Sequence, residues 1–153
     1  MNQDELVAGY ERLGGPEAGQ AARALYGNPT SDDYAAFFRH CLPLYSRKGD
    51  LSSLAASGAR AAMNPVATQR FFAPSGEAWR FDHRNRLSRV ECPVLVILGE
   101  HDPVTPAVWG REVAEALPAG KAELIVFPEA SHLVTVDEPE AFAAVVSRFI
   151  AAR

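Results

Sequence analysis

The sequence predicts an α/β chain in which a helical region precedes a β-α-β-α unit with two parallel strands. Two observations carry this prediction. Residues 94–98 form a continuous apolar run, which suits a parallel strand covered on both faces, and a second run follows at residues 123–127. Residues 1–72 instead show helical periodicity and no strand signal.

The first three predicted helices are defined by their ends. Asn2 and Glu5 have the spacing of a capping box, and the Gly14–Gly15 pair ends the first helix. The second helix begins at Pro16 and extends to Gly27. A third helix is expected from Thr30 or Ser31 to Cys41, because Pro43 stops it.

Two further helices are predicted before the chain changes character. Asp50 caps a fourth helix over residues 50–63, and Asn64–Pro65 opens a short fifth helix that ends near Phe72. Residues 73–93 contain two prolines and most of the local arginines, and we interpret them as a connector between layers. We therefore expect a helical region over residues 1–80 and a core region over residues 81–153.

The core region alternates strands and helices. After the strand at 94–98, Thr105 is predicted to cap a helix that starts at Pro106 and extends to about Leu117. The strand at 123–127 follows, and Asp137 with Glu140 has the spacing of a second capping box. The last helix is amphipathic, with apolar residues at the spacing of one helical face: Phe142, Val145, Val146, Phe149 and Ile150.

The overall charge argues against nucleic acid as a partner. Lys and Arg total 15 against 19 Asp and Glu, which gives a formal charge of −4, whereas phosphate binding needs clustered basic residues. One local basic group exists, and we interpret it as a solvated connector: Arg80, Arg84, Arg86 and Arg89.

Cysteine usage and hydropathy indicate a cytoplasmic chain without metal or cofactor. Cys41 and Cys92 are far apart and form no Cys-x-x-Cys pattern, so free thiols are expected. The N-terminus is acidic where a signal peptide is basic, and no apolar stretch approaches the ~20 residues that span a membrane. We therefore expect no membrane partner.

A carboxylate and an imidazole follow the two predicted strands. Asp102 lies shortly after the first strand and His132 shortly after the second. The carboxyl ends of neighbouring parallel strands share one edge of a sheet, where open sheets place their chemistry. Alone, such an Asp is more often a turn former and such a His a surface residue. Together they predict an acid that orients a histidine.

The other histidines are weaker candidates. His101 shares a loop with Asp102 and is expected to be an exposed residue at the loop tip. His40 and His83 belong to the helical region and the connector, with no partner nearby in sequence.

Two segments resemble α/β-hydrolases. Residues 94–106, VLVILGEHDPVTP, resemble the acid-bearing strand and loop, and residues 126–132, VFPEASH, resemble the histidine loop. The first eighty residues resemble the helical lid of the proline iminopeptidase-like branch at four stretches: Leu42–Tyr45, Asn64–Pro65, Phe71–Phe72 and Arg80–Asp82. The resemblance implies a partial α/β-hydrolase fold, with Asp102 as orienting acid and His132 as general base.

The sequence departs from the family pattern in two places. Ser131 stands where glycine is commoner before the histidine, and a structural role is expected for it. No serine or cysteine has glycine two residues before and two after it, so the nucleophile elbow is missing. We expect a C-terminal portion whose first strand has an unpartnered edge. That edge would pair with a second copy or with a separate N-terminal half.

Three functional interpretations remain open. The leading one is the lid, acid and histidine of a serine hydrolase that cleaves an ester or peptide, with Asp32, Asp33 and Glu77 as candidates for holding a substrate amine. In that case the isolated chain is inactive. The second is a non-catalytic binding or self-associating module. The third is a stand-alone enzyme that uses Cys92 or Ser131 as nucleophile, although Cys92 is expected to be buried.

Overall fold

The computed structural model describes residues 3–52, 54, 56, 65–72 and 76–152. The chain forms two compact units. One comprises Met1–Tyr45 and Asp50–Asp82, and the other comprises Ser46–Gly49 and His83–Arg153. The domain boundary between residues 80 and 81 stays a prediction.

The described part of the first unit is helical. Helix α1 (Gln3–Leu25) is bent at Gly15, whose φ of 80° is a left-handed conformation that favours glycine. The bend and the following Pro16 account for the two helices expected on either side. Helix α2 (Ser31–His40) is preceded by the N-cap residue Thr30, which shares a capping box with Asp33.

Shorter helices complete the described part of this unit. A 3₁₀ turn covers Leu42–Tyr45, helix α3 covers Pro65–Phe72 and helix α4 covers Glu77–Arg80. The predicted start at Asn2 and most of the predicted helix over 50–63 lie outside the described residues. Aromatic rings meet edge to face in the core, with Phe37 against both Tyr10 and Tyr26.

The second unit contains a two-stranded parallel sheet. A 3₁₀ turn (Arg84–Arg89) leads into β1 (Val94–Gly99), which pairs with β2 (Ala122–Phe127) in the register Val94 opposite Ala122. Helix α5 (Ala107–Ala116) connects the strands, and helices α6 (Val134–Asp137) and α7 (Pro139–Ala151) follow β2. Both strands were expected within a residue of these bounds, and the predicted fold class is confirmed.

Helices cover both faces of the sheet. Phe142 and Val145 of α7 pack against a buried cluster that includes Phe127 of β2, as do Ile97 and Ile125 of the sheet. Gly110 of α5 lies against Leu98, whose side chain points to the opposite face because side chains alternate along a strand. The result is a helix–sheet–helix sandwich that presents the carboxyl ends of β1 and β2 at one edge.

Residues 73–93, interpreted as a connector, also include α4 and a 3₁₀ turn, which were not predicted. Two local predictions were wrong. Helix α5 starts at Ala107, and Thr105 binds Asp102 instead of capping the helix. The N-cap residue of helix α7 is Glu138, so the capping box predicted for Asp137 and Glu140 is not the start of this helix. Within the described part of the chain, no helix is long and apolar enough to cross a membrane.

Candidate active site

The first side chain of the site is presented by the loop after β1. Asp102 is 8% exposed and its two carboxylate oxygens have separate partners. Oδ1 accepts hydrogen bonds from the backbone amides of Val104 (2.7 Å) and Thr105 (2.9 Å). Oδ2 accepts from the Thr105 hydroxyl (2.7 Å) and lies 2.9 Å from Nδ1 of His132. The loop therefore fixes the carboxylate in place.

The hydrogen-bond donors around Asp102 keep its carboxyl group ionised. Burial of Asp102 disfavours its charged form, but hydrogen bonds from His132 and Thr105 outweigh burial and lower the pKa of the carboxyl below its ordinary value of 3.8. An ionised carboxylate only accepts hydrogen bonds, so Nδ1 of His132 carries the proton and Nε2 is the basic nitrogen. This tautomer is the one that a general base requires.

The second side chain is presented by the loop after β2. His132 follows Phe127, the last residue of the strand, and its side chain is 32% exposed. The Asp102 carboxylate is buried, whereas part of the imidazole ring stays accessible. The two residues that the sequence predicted as the acid and the histidine are brought together. Their catalytic role stays a prediction.

Three backbone-mediated contacts tie the two loops together. Glu100 N donates to Phe127 O (3.1 Å), His101 N donates to Ala130 O (3.1 Å) and the Ser131 hydroxyl donates to His101 O (3.0 Å). Gly99 lies against the carbonyl group of Ser131, where a β-carbon would overlap the backbone. The relative position of Asp102 and His132 is therefore set by the loops as well as by the bond between the two side chains.

The remaining candidates have other surroundings. His101 is half-buried, so its prediction as an exposed tip was wrong. Cys92 is exposed, which corrects the expectation of burial, and Cys41 is buried, which raises the pKa of its thiol to about 12. Ser131 is 1% exposed and its hydroxyl is already a donor to His101 O, which disfavours it as a nucleophile.

The acidic residues of the helical unit offer little for a substrate amine. Asp33 accepts hydrogen bonds from the amide and hydroxyl of Thr30, and Glu77 pairs with Arg80 at 2.7 Å. Asp32 is exposed at the start of α2. No cluster of three or more His, Cys, Asp or Glu side chains within the described ranges has the geometry of a metal site.

Sequence reasoning missed one buried carboxylate beside the site. Asp137 is 5% exposed and accepts a hydrogen bond from the backbone amide of Ser131 (2.7 Å), next to His132. Its other partners are in residues 46–48. The local pattern, Asp137 three residues before Glu140, resembles a helix cap, and no local signal identifies partners this distant in sequence.

A buried acid bonded to a half-exposed histidine, on loops at the carboxyl edge of a parallel sheet, defines a protein of the α/β-hydrolase class. The sequence profile of the alpha/beta hydrolase family matches residues 6–145, and the chain belongs to this family. The predicted resemblance to the α/β-hydrolase family and the predicted fold class are thereby confirmed, whereas the interpretation as a C-terminal portion stays a prediction.

Relatives include enzymes with different substrates. The chain is 40% identical over 72 residues to 3-oxoadipate enol-lactonase 2 of Acinetobacter baylyi, covering 44% of this chain and 26% of that protein. It is 33% identical over 79 residues to the proline iminopeptidase of Levilactobacillus brevis, covering 52% of this chain and 25% of that protein.

Similarity of fold to a solved structure extends over nearly the whole chain. The structure of the Mycobacterium smegmatis proline iminopeptidase superposes with a TM-score of 0.63 at 23% identity, covering 99% of this chain and 54% of that one. The chain thus spans about half the length of this structure and about a quarter of the length of the two relatives in the aligned regions.

Proposed function

We propose that this chain supplies the acid and the histidine of a serine hydrolase, with Asp102 orienting His132 as the general base. The observation that carries the proposal is the 2.9 Å hydrogen bond between Oδ2 of Asp102 and Nδ1 of His132. The bond leaves Nε2 as the nitrogen that can accept a proton, and it lies at the sheet edge where this fold carries out its chemistry.

The nucleophile in this proposal is a serine outside these 153 residues. No serine or cysteine of the sequence stands in a Gly-x-Ser-x-Gly elbow, and the matching solved structure is about twice as long. In the complete site His132 takes the proton of the serine hydroxyl as its oxygen attacks the acyl carbon, and then gives that proton to the leaving group. Water attacks the acyl-enzyme by the same route and regenerates the serine.

The proposed substrate class is a small acyl compound: an ester, a lactone or an amide. Relatives whose names indicate an enol-lactonase and a proline iminopeptidase support this breadth. Removal of an N-terminal residue, as in the proline iminopeptidase-like branch, is the narrower proposal. It receives less support because Asp33 and Glu77 are engaged with Thr30 and Arg80.

We also propose that the outer edge of β1 pairs with a strand of the nucleophile-bearing part. Val94 N and Glu100 N donate toward the β2 side, to Lys121 O and Phe127 O. Amides alternate in direction along a strand, so those of Leu95 and Ile97 point away from β2. A second copy of the chain could occupy the same edge, and concentration dependence separates the two cases.

The acid–histidine pair can be tested on the chain itself. We expect a strongly deshielded Nδ1 proton for His132 in the proton NMR spectrum at neutral pH, lost in both Asp102→Asn and His132→Ala. The matched control is Asp33→Asn, which removes an Asp that likewise binds a backbone amide and a hydroxyl but lies in the other unit. A spectrum without this resonance in the unaltered chain would contradict the proposal.

The location of the nucleophile is tested by a fluorophosphonate probe and intact mass. We expect no adduct on the unaltered chain, because its serines lack an elbow. An adduct that disappears in His132→Ala would place the nucleophile within these residues and refute that part of the proposal. The role of His132 as base would survive such a result.

A further inference from the structure

Asp137 is a buried carboxylate that the acid–histidine pair does not use. It ends the short helix α6 and is 5% exposed. Its two oxygens face in different directions. Oδ1 accepts hydrogen bonds from the Ser46 hydroxyl and from the backbone amides of Arg47 (2.8 Å) and Lys48 (3.1 Å). Oδ2 accepts from the backbone amide of Ser131 (2.7 Å).

The environment keeps this carboxylate charged. Burial disfavours the ionised form of Asp137, but the hydrogen bonds from Ser46, Ser131, Lys48 and Arg47 outweigh burial and lower the pKa of the carboxyl. Hydrogen bonds to an ionised acceptor are stronger than those between neutral groups. Asp137 is therefore a strong link between a segment early in the chain and the histidine loop.

Residues 46–48 are bound to the histidine region by hydrogen bonds and ion pairs. Gly49 N donates to the Ser46 hydroxyl (2.7 Å), which closes the turn around the carboxylate. Arg47 pairs with Glu129 at 3.7 Å and Lys48 pairs with Glu138, so ion pairs flank the central contact on both sides. The residues before and after this turn belong to the other unit, whereas the turn itself belongs with the sheet.

Ser131 connects Asp137 to the acid loop and lies directly before His132. Its amide is held by Asp137, and its hydroxyl is held by His101 O of the acid loop. The residue before His132 is thus fixed from two directions. Resting on the proposed function, in which His132 is the base, we infer that Asp137 is a positioning residue: it fixes the Ser131 backbone, and thereby the orientation of the His132 ring toward Asp102.

The variant Asp137→Asn separates the two halves of this contact. Three donors converge on Oδ1 and one on Oδ2, so the amide oxygen of Asn is expected to face residues 46–48. Its NH₂ group then meets the Ser131 amide, donor against donor. The complementary variant is Ser46→Ala. It removes one hydrogen-bond donor to Oδ1 of Asp137 and leaves the hydrogen bond from Ser131 to Oδ2 intact.

The readout is exchange of the His132 Nδ1 proton with solvent, followed by NMR in the chain as it exists. We expect Asp137→Asn to accelerate this exchange by about tenfold or more, since it removes a charge-assisted hydrogen bond. Ser46→Ala and the distant control Asp33→Asn should leave the exchange rate unchanged. Unchanged exchange in a folded Asp137→Asn variant, or equal acceleration in Ser46→Ala, would overturn the inference.

A second measurement needs no variant. The inference requires the Ser131 amide of the unaltered chain to be as protected from deuterium exchange as amides of the β1–β2 ladder. Exchange at the rate of an exposed loop amide would overturn it. Absence of the His132 proton resonance from the unaltered chain would instead refute the proposed acid–histidine pair, so the two failures are distinguishable.

Discussion

At the scale of single residues, Asp102 and Asp137 share one arrangement. Each carboxylate is buried, and each is surrounded by amides and hydroxyl groups that donate to both of its oxygens. The donors hold both acids in the charged form and fix their orientation. Asp102 uses its remaining capacity for His132, whereas Asp137 uses it for the Ser131 backbone.

The lowered pKa values of these two acids predict an acid-sensitive fold. A carboxyl whose pKa is lower in the folded than in the unfolded chain stabilises the fold above the unfolded value and loses that effect as pH falls through the folded value. With an ordinary pKa of 3.8, the loss should begin below about pH 5 and deepen below 3.8. Urea unfolding at pH 7, 5 and 3 checks this.

The control for this pH dependence is Asp137→Asn. It removes one titrating group, so its urea midpoint should fall less between pH 5 and pH 3 than that of the unaltered chain. A midpoint that rises as the pH falls would contradict the assignment of both shifts.

Gly99 is the residue at which the acid and histidine loops come closest. A β-carbon there would overlap the Ser131 backbone, so Gly99→Ala must separate the loops. We expect a loss of about 1–3 kcal/mol in the free energy of unfolding, together with a weakened His132 proton resonance. Denaturant unfolding and NMR measure the two effects.

Gly110→Ala is the matched control for Gly99→Ala. The nearest atoms to its β-carbon would be in the Leu98 side chain rather than in the backbone, and a helix interior favours Ala over Gly by about 1 kcal/mol. We expect a smaller loss of stability and an unchanged His132 resonance. Similar behaviour of the two variants would show that the close approach at Gly99 is not specific to the site.

The contact between Asp102 and His132 was predictable from sequence, whereas their catalytic role stays a prediction. Asp102 and His132 could be paired because each follows a strand of recognisable pattern. Asp137 and Thr105 could not be assigned, because both sit in patterns that equally suit a helix cap. Their actual partners were decided by burial and by tertiary contacts.

At the scale of elements, the apolar face of helix α7 is packed near the start of the helix and exposed near its end. Phe142 and Val145 pack against the buried cluster that includes Phe127 of the sheet, whereas Ile150 is 66% exposed. The sequence predicted the helix from a single apolar stripe and gave no means of distinguishing its two ends. The difference depends on tertiary packing, which periodicity in the sequence does not report.

This division predicts unequal effects of truncation. Phe142→Ala should lower the free energy of unfolding by about 2 kcal/mol, less than for a fully buried ring because Phe142 is only partly buried. Ile150→Ala should change it by less than about 0.5 kcal/mol. Thermal or urea unfolding of the two variants compares them directly, and a larger loss for Ile150→Ala would be inconsistent with the packing described.

At the scale of the whole molecule, the sheet is small for a parallel arrangement. Two parallel strands pair, and the amides of Leu95 and Ile97 point away from that pair. The fold class was predictable because apolar runs and helical periodicity are local patterns. The grouping of residues 46–49 with the sheet was not predictable from sequence. It depends on hydrogen bonds to Asp137, which is 89 to 91 positions away in the chain.

We predict that the isolated chain self-associates through the β1 edge. Light scattering at micromolar concentration should give a mass above 16.6 kDa, and the Leu95 and Ile97 amides should gain deuterium-exchange protection as concentration rises. The amides of Val96 and Leu98, on the paired side, are the internal control. A monomeric mass with fast exchange at Leu95 and Ile97 at every concentration would count against this prediction.

The turn at residues 46–49 also bears on the order in which the molecule is assembled. The β1–α5–β2 contacts join neighbours in the chain, whereas the Ser46–Asp137 contact closes a loop of 91 positions and carries a larger entropic cost. During synthesis residues 46–49 are made well before Asp137. Their hydrogen bonds to Asp137 can therefore form only after that residue has been added. The contact of residues 46–49 with Asp137 is therefore expected to form after the β1–α5–β2 contacts.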